Sequence, residues 1–290
     1  MKIAITGSSG FIGKHLVSHF LEENYFVLGM QRNAIKERTK FRYLHYDLLE
    51  KVDYDQIKDV DVIIHCAFME FINDEINSDF VNLTAAQNLI SACDERGIKI
   101  IYLSTFSAHE DAQSHYGINK FQLENIFKAA GHTVLRLGIV VSDDGGMFTQ
   151  MLDTIRSSKI LPLISGGHQP MQFIDTKRLY RVISRVIHYK GICNEFNIGS
   201  SDFISMQEFY SEMAHKLNLN RYEVYIPIWV MFLVIRLSNT LGVNLPFNKE
   251  NLLGLKAMRY FETKMSFREL EIPVFFTKDV FKLYFDKDGK

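Results

Sequence analysis

Short apolar runs alternate with stretches of helical periodicity over the first two thirds of the chain. Runs such as Val62–Ile64 are apolar at every position, which is typical of strands buried on both faces. The helical pattern is clearest over Ile76–Arg96 and Tyr116–Ala129. This alternation predicts βαβ units and an α/β fold with a doubly wound parallel sheet. The predicted strands are Lys2–Thr6, Tyr25–Met30, Phe41–Tyr46, Val60–His65, Lys99–Leu103 and Thr133–Val140.

The pattern changes after about residue 145. Turn signals occur at Asp143–Gly146 and Ser165–Gly167, and aromatic and aliphatic helical patterns with few glycines follow from Ser201. We expect Phe173–Ile174 and Glu195–Ile198 to be late strands that return to the first region. The sequence therefore predicts a first domain over residues 1–166, with late strands returning from about 170–200, and a smaller, mainly helical region over 167–290.

The segment Tyr225–Ile235 is apolar throughout, and Arg236 ends it. It is about half as long as a bilayer-spanning helix, so we predict no integral membrane segment. The length favours a buried helix that starts near Pro227. A surface that meets lipid or a lipid-linked substrate is the alternative.

Composition and charge exclude some partners. The 290 residues are 47% hydrophobic and 23% charged, with a net charge of -1, so no general field attracts nucleic acid or an anionic membrane. The three cysteines, Cys66, Cys93 and Cys193, lack the spacing of metal ligands. We expect reduced thiols in a cytoplasmic protein that binds no metal.

A glycine-rich turn directly follows the first apolar run. The segment Gly7-Ser8-Ser9-Gly10-Phe11-Ile12-Gly13 joins a predicted strand to a predicted helix. This arrangement places a dinucleotide's pyrophosphate on the amides of a helix N-terminus. The glycines allow a sharp turn, close approach to the phosphates and close packing of helix and strand. We predict a Rossmann-like dinucleotide-binding domain with cofactor contacts from Gly7, Ser9, Gly10, Phe11, Ile12 and Gly13.

A phenol and an ammonium group lie four residues apart at Tyr116 and Lys120. On a helix this spacing places both on one face, one turn apart. A phenol has an ordinary pKa near 10, and a nearby cation such as Lys120 favours its ionised form. Upstream, a predicted strand ends in Ser104 and Thr105, which brings hydroxyls to the sheet edge where ligands bind. The four residues are our predicted catalytic group.

Together these motifs resemble the short-chain dehydrogenase/reductase superfamily, and more closely its extended NAD-dependent epimerase/dehydratase family, which acts largely on nucleotide-linked sugars. The resemblance covers roughly residues 1–200, and Thr105 matches the family's catalytic Ser/Thr. It implies that Asp47 and Leu48 border the adenine and that Ala67 passes the ribose and phosphates. It also implies that Asn82 steadies the sheet edge, and that Lys120 binds the ribose beside Tyr116.

Two departures from the family pattern change which cofactor and which reaction we expect. At the end of the second strand, Gln31-Arg32 replaces the usual carboxylate, and Arg32 can pair with a 2′-phosphate. NADP(H) is therefore favoured, with NAD(H) as the alternative. Phe106-Ser107 stands where sugar 4,6-dehydratases of the family carry Asp-Glu, so we do not expect dehydration.

The resemblance implies hydride transfer to or from a sugar carbonyl or alcohol, with a nucleotide sugar as the small-molecule substrate. We favour a 4-reductase in polysaccharide or cell-surface glycan biosynthesis, with Tyr116 as proton donor and Thr105, helped by Ser104, bonded to the reacting oxygen. A nucleotide-sugar 4-epimerase is the alternative within the family. A non-catalytic dinucleotide sensor or assembly factor is the alternative of another class. A homodimer through the two long helices is also expected.

Overall fold

The computed structural model describes residues 1–70, 77–94, 96–241 and 248–286. The strands are β1 (Lys2–Thr6), β2 (Phe26–Gln31), β3 (Phe41–His45), β4 (Val62–His65), β5 (Lys99–Thr105), β6 (Thr133–Leu137), β7 (Ile139–Val141), β8 (Ile160–Ile164), β9 (Pro170–Met171), β10 (Phe173–Asp175), β11 (Glu195–Ile198), β12 (Ile204–Ser205) and β13 (Tyr222–Ile226). The helices are α1 (Phe11–Glu22), α2 (Tyr54–Ile57), α3 (Ser78–Asp94), α4 (His115–Ala129), α5 (Gly146–Ser157), α6 (Thr176–Ile187), α7 (Met206–Lys216), α8 (Ile228–Leu241), α9 (Lys249–Lys256), α10 (Lys264–Glu269) and α11 (Thr277–Asp286).

Seven strands form one sheet in the order β11-β6-β5-β4-β1-β2-β3, and every neighbouring pair is parallel. The chain builds one half outwards from β1 and then crosses to β4 on its other side. Ligands bind at such a reversal, outside the carboxyl ends of the strands. The predicted Rossmann-like, doubly wound α/β fold is confirmed.

Helices cover both faces of this sheet and create two hydrophobic cores. Ile3 and Ile5 of β1 belong to one core, whereas Ala4 between them belongs to the other. Phe20 of α1 packs in the first core, and Phe127 of α4 packs in the second. Because β1 and β4 bury both faces, their sequences are nearly unbroken apolar runs.

The predicted strand Thr133–Val140 is in fact two strands divided at Gly138. The Gly138 amide donates to the Ile198 carbonyl at 2.9 Å, and a Cβ at this position would lie 2.6 Å from the carbonyl oxygen of Gln172. After this close approach, β7 leaves the main sheet and pairs with β10. The later strand β11 joins the main sheet beside β6.

The last part of the chain carries helices α7 to α11 and the parallel pair β8–β13. Helix α8 begins beside Pro227 as expected, but the prediction that it is buried is wrong for its outer face. Met231 and Ile235 pack on Ile164, while Trp229 is 66% exposed. The cause is that, among the described residues, the β8–β13 pair and α9 cover only one side of the helix. Across the described ranges, we find no helix with the length and apolar character needed to cross a bilayer.

Candidate active site

The glycine turn between β1 and α1 has the geometry that a bound pyrophosphate requires. Gly7 has a φ of +63°, and a Cβ there would lie 2.9 Å from the Ala67 amide nitrogen. A Cβ on Gly13 would lie 2.2 Å from the Gly7 carbonyl oxygen, so helix and turn pack in direct contact. Gly10 caps α1 without a side-chain hydrogen bond, and no acidic residue stands in the first turn. These amides therefore fit an anionic dinucleotide.

The other predicted residues of this turn lie at its rim. Ser9 and Gly10 are exposed at the start of α1, whereas Phe11 and Ile12 are half-buried. The Phe11 ring packs against Gly146, where a Cβ would lie 2.5 Å from the ring. Phe11 thus ties the start of α1 to the start of α5.

A hydroxyl network joins the glycine turn to the end of β4. The Thr6 Oγ1 accepts from the amides of Cys66 and Ala67, both at 3.1 Å, and donates to Nδ1 of His65 at 2.7 Å. Burial lowers the pKa of His65 to about 3, and the Lys120 charge adds to this shift. His65 is therefore a neutral structural residue, and the network fixes Ala67 beside the turn.

At the end of β2 the expected carboxylate position is filled by a neutral, buried amide. Gln31 accepts from the Ser8 hydroxyl at 2.7 Å and donates to the Asn33 carbonyl at 2.8 Å. The next residue, Arg32, is exposed, and its carbonyl accepts from Nδ1 of His45 at 2.9 Å. The end of the strand therefore presents a cation to solvent and no carboxylate.

Asp47 and Leu48 form a turn beyond β3. Both are half-buried, and the Asp47 carboxylate accepts from the Leu49 amide at 3.0 Å. Leu48 packs at the margin of the core beneath. The pair therefore lies on the same side of β1 as Arg32.

Tyr116 and Lys120 lie one turn apart on α4, close to the carboxyl end of β5. Thr105 is half-buried at the end of that strand, and its side chain is near enough to Tyr116 to lower the pKa of the phenol. The Lys120 ammonium is buried and donates to the Leu103 carbonyl at 3.0 Å. It lies 4.4 Å from the centroid of the Phe68 ring, which in turn meets the Tyr116 ring edge-on at 5.3 Å. The structure thus brings Tyr116, Lys120 and Thr105 together.

Lys120 was expected to lower the pKa of Tyr116, whereas burial is the largest influence on this pKa in the structure. Although 39% of the Tyr116 surface is exposed, its surroundings remove enough water to raise the pKa of the phenol to about 12, and the Glu70 charge adds to the shift. The nearby Thr105 side chain acts in the opposite direction. Burial lowers the pKa of Lys120 itself to about 8. Because the pKa of the Tyr116 phenol lies well above 7, the phenol is protonated at neutral pH.

Ser104 is held away from Thr105 by a buried ionic network. Its hydroxyl donates to Glu124 at 2.5 Å, and Glu124 also accepts from Nε of Arg136 at 3.0 Å. Arg136 further donates to Glu195 at 3.0 Å. The Ser104 side chain therefore points to Glu124, two turns along α4 from Tyr116. The predicted catalytic help from Ser104 has no support here.

Two buried amides hold the loop after β4 against the catalytic helix. Asn82 on α3 accepts from the Met69 amide at 2.9 Å and donates to its carbonyl at 2.8 Å. The same side chain donates to Asn119, between Tyr116 and Lys120 on α4, at 3.1 Å. Asn82 thus has a positioning role at the sheet edge.

The C-terminal part of the chain is anchored to the loop between β5 and α4. His109 is buried, and its Nε2 donates to the Ala257 carbonyl at 2.9 Å. Arg259 pairs with both oxygens of Glu110, at 3.0 and 3.1 Å. Phe106 stacks on Phe261 with ring centroids 4.7 Å apart. These contacts place the later chain beside Thr105 and Tyr116.

Sequence reasoning missed four residues that shape this site: Phe68, Asn119, Glu124 and Arg136. For Glu124 a signal was present, since it follows Lys120 by four residues and so shares its helix face. Arg136 was also detectable, as a charged residue inside an apolar strand. Phe68 and Asn119 become visible only once the loop and helix are packed.

The chain was compared with known proteins. A model of the NAD dependent epimerase/dehydratase family matches residues 3–199, more than half of the chain. A UDP-glucose 4-epimerase of Vibrio cholerae is 22% identical, over 86% of this chain and 89% of that protein. A UDP-N-acetylglucosamine 4,6-dehydratase (inverting) of Campylobacter jejuni is 30% identical, over 56% of each chain.

Among solved structures, the UDP-glucuronic acid 4-epimerase of Bacillus cereus, in complex with UDP-glucuronic acid and NAD, superposes with a TM-score of 0.71. It is 19% identical, and the match covers 97% of both chains. At that identity the likeness shows the fold. The family match, the glycine turn and the Tyr116–Lys120 helix agree, and the chain belongs to the NAD-dependent epimerase/dehydratase family of enzymes.

Proposed function

We propose that this enzyme catalyses hydride transfer between a nicotinamide nucleotide and a sugar carbonyl or alcohol on a nucleotide diphosphate carrier. The observation that carries the proposal is the grouping of Tyr116, Thr105 and Lys120 at the carboxyl edge of β5. The relatives named for UDP-sugars support the substrate class. When bound, the nicotinamide supplies the hydride donor or acceptor.

The chain's own residues handle the oxygen and its proton. Thr105 is placed to orient the reacting oxygen, and Tyr116 to donate a proton to it. A phenol with a pKa of about 12 is protonated at neutral pH, which suits the direction that reduces a carbonyl. Lys120 offers a buried cation beside the same site. We therefore favour a 4-reductase, acting in the cytoplasm in polysaccharide or cell-surface glycan synthesis.

The choice between reductase and epimerase depends on how the cofactor is held. An epimerase retains NAD through a full cycle, and a carboxylate at the end of β2 assists this by binding the 2′-hydroxyl. Here that position is the buried amide of Gln31. The two residues after Thr105 are also not carboxylates. They are Phe106, which stacks on Phe261, and Ser107, whose amide donates to the Thr105 hydroxyl at 3.2 Å. Reduction without elimination is the reaction that these residues favour.

We further propose that NADP(H) is preferred over NAD(H). The exposed guanidinium of Arg32 can pair with a 2′-phosphate, and Gln31 presents no charge against it. Titration of the parent and of Arg32→Ala with NADPH and NADH tests this point. We expect the parent to bind NADPH more tightly and the variant to lose the difference; tighter NADH binding by the parent would refute the preference.

Turnover by Tyr116→Phe tests the central proposal. The parent is assayed with UDP- and dTDP-linked sugars and 4-keto sugars, following absorbance of the reduced cofactor. We expect the variant to lose about 10²–10⁴-fold in rate, with cofactor binding unchanged. Tyr222→Phe, at a residue 73% exposed, is the matched control and keeps parent activity.

The alternatives give different results in the same assay. Interconversion of two nucleotide sugars with tightly retained NAD and no net NADPH use would make the protein a 4-epimerase. If no sugar is turned over and Tyr116→Phe still supports function in cells, the protein is a dinucleotide sensor. We also propose a homodimer through α3 and α4, which sedimentation of the purified protein tests.

A further inference from the structure

Helix α8 exposes an apolar face that no described residue covers. Trp229, Leu233 and Leu237 follow one another at four-residue spacing and are 66%, 48% and 52% exposed. The opposite side of the helix supplies Met231 and Ile235 to a small core. The helix is therefore apolar on two sides and packed on one.

The strand pair β8–β13, which supplies Ile164 and Ile226 to the small core under α8, also exposes apolar side chains. Tyr222 on β13 stands in register with Ile160 on β8, and both are more than half exposed. Between Tyr222 and Val224, Glu223 points to the other face, where it accepts from Gln207 at 2.9 Å. We call Ile160, Tyr222, Val224, Trp229, Leu233 and Leu237 together the C-terminal apolar surface.

Cationic side chains flank this surface, and the nearby carboxylates of Glu223 and Glu250 are both engaged in hydrogen bonds. In the sequence from Val224 to Asn248, Arg236 is the single charged residue, and it is exposed. Helix α9 adds the exposed Lys249 and Lys256. Its one carboxylate, Glu250, accepts a hydrogen bond from the amide that begins α4 at 2.6 Å. Aromatic and aliphatic side chains flanked by cations are typical of a helix that lies in the interface of an anionic bilayer.

We propose that the C-terminal apolar surface docks this enzyme on an anionic bilayer, with α8 lying flat in the interface. With 14 residues α8 is about 21 Å long, shorter than the roughly 30 Å hydrocarbon core, so it lies on the membrane and does not cross it. Arg236 extends toward lipid phosphates. This docking does not depend on the proposed reaction. It adds to that reaction a location for the active site. Glu250 of α9 bonds to the start of α4, so the helix that carries Tyr116 would lie near the bilayer.

Co-sedimentation of the full chain with vesicles tests the proposal. One vesicle is phosphatidylcholine alone, and the other contains one quarter phosphatidylglycerol. We expect binding to the anionic vesicles, and at least tenfold weaker partitioning for the double variant Trp229→Ser/Leu233→Ser. Both residues are exposed, so the fold is retained, and circular dichroism and NADPH titration check this. Arg236→Gln is expected to weaken binding several-fold and to reduce its dependence on salt.

Ile192→Ser is the matched control, because Ile192 is a fully exposed aliphatic residue on a loop elsewhere. It should bind vesicles as the parent does. Absence of binding to either vesicle overturns the proposal, and so does binding that Trp229→Ser/Leu233→Ser leaves unchanged. Self-association of the parent that is lost in the double variant, without vesicle binding, would show that a second copy covers the surface instead.

Discussion

Glu124→Gln tests whether the buried ionic network holds the catalytic helix in place. Glu124 is fully buried on α4, two turns beyond Tyr116, and it bonds to Ser104 on β5 and Arg136 on β6. Glutamine keeps the volume but removes the negative charge and turns an amide N–H toward one of these donors. The Arg136 guanidinium, itself only 6% exposed, then loses its closest counter-charge.

The expected cost follows from what remains around Arg136. Removing one partner of a buried ion pair costs about 3–5 kcal/mol, because the other charge stays desolvated. Glu195 still lies 3.0 Å from the guanidinium, so we expect the lower end, about 3 kcal/mol. Urea unfolding of the parent and variant measures this difference in the free energy of unfolding.

Glu195→Gln is the matched control. The Glu195 side chain is 32% exposed and shared between Lys128 and Arg136, so the same change there should cost no more than about 1 kcal/mol. Adding Arg136→Met to Glu124→Gln should lower the free energy of unfolding by little more, because the unpaired guanidinium is then absent. Equal losses for Glu124→Gln and Glu195→Gln, or a loss below about 1 kcal/mol for Glu124→Gln, would refute the reasoning.

Two further changes address the cofactor turn and pH. Gly13→Ala places a Cβ 2.2 Å from the Gly7 carbonyl oxygen, so we expect loss of NADPH binding by calorimetry. Gly254→Ala on α9 places a Cβ 3.7 Å from the Ser114 hydroxyl oxygen, an ordinary contact, and should instead stabilise by about 0.5–1 kcal/mol. His65 has a pKa of about 3 when folded and an ordinary value near 6.5 when unfolded. The unfolded state therefore takes up a proton first as pH falls below 6.5, and folding stability decreases. His65→Asn should remove about 1.4 kcal/mol per pH unit of that decrease between roughly pH 6 and 4; identical pH slopes in parallel denaturant titrations would contradict it.

The sheet was predictable because burial on both faces leaves nearly unbroken apolar runs in its central strands, such as β1 and β4. Its division at Gly138 was not, since the residues on both sides are apolar and the cause is a carbonyl thirty-odd positions away. In the site, the four-residue spacing predicted that Tyr116 and Lys120 share one helix face, and both lie on α4. Where the ammonium points depends on the Leu103 carbonyl, a long-range contact that spacing does not encode.

Helix α8 shows why an apolar segment alone does not determine burial. A helix that is apolar on one face needs one partner, and here the β8–β13 pair supplies it through Ile164 and Ile226. A helix that is apolar on two faces needs two partners. Within the described ranges the second face, with Trp229 and Leu233, meets solvent. Among the described residues these exposed side chains stabilise nothing in the folded monomer, which agrees with the proposed docking of this face on a bilayer.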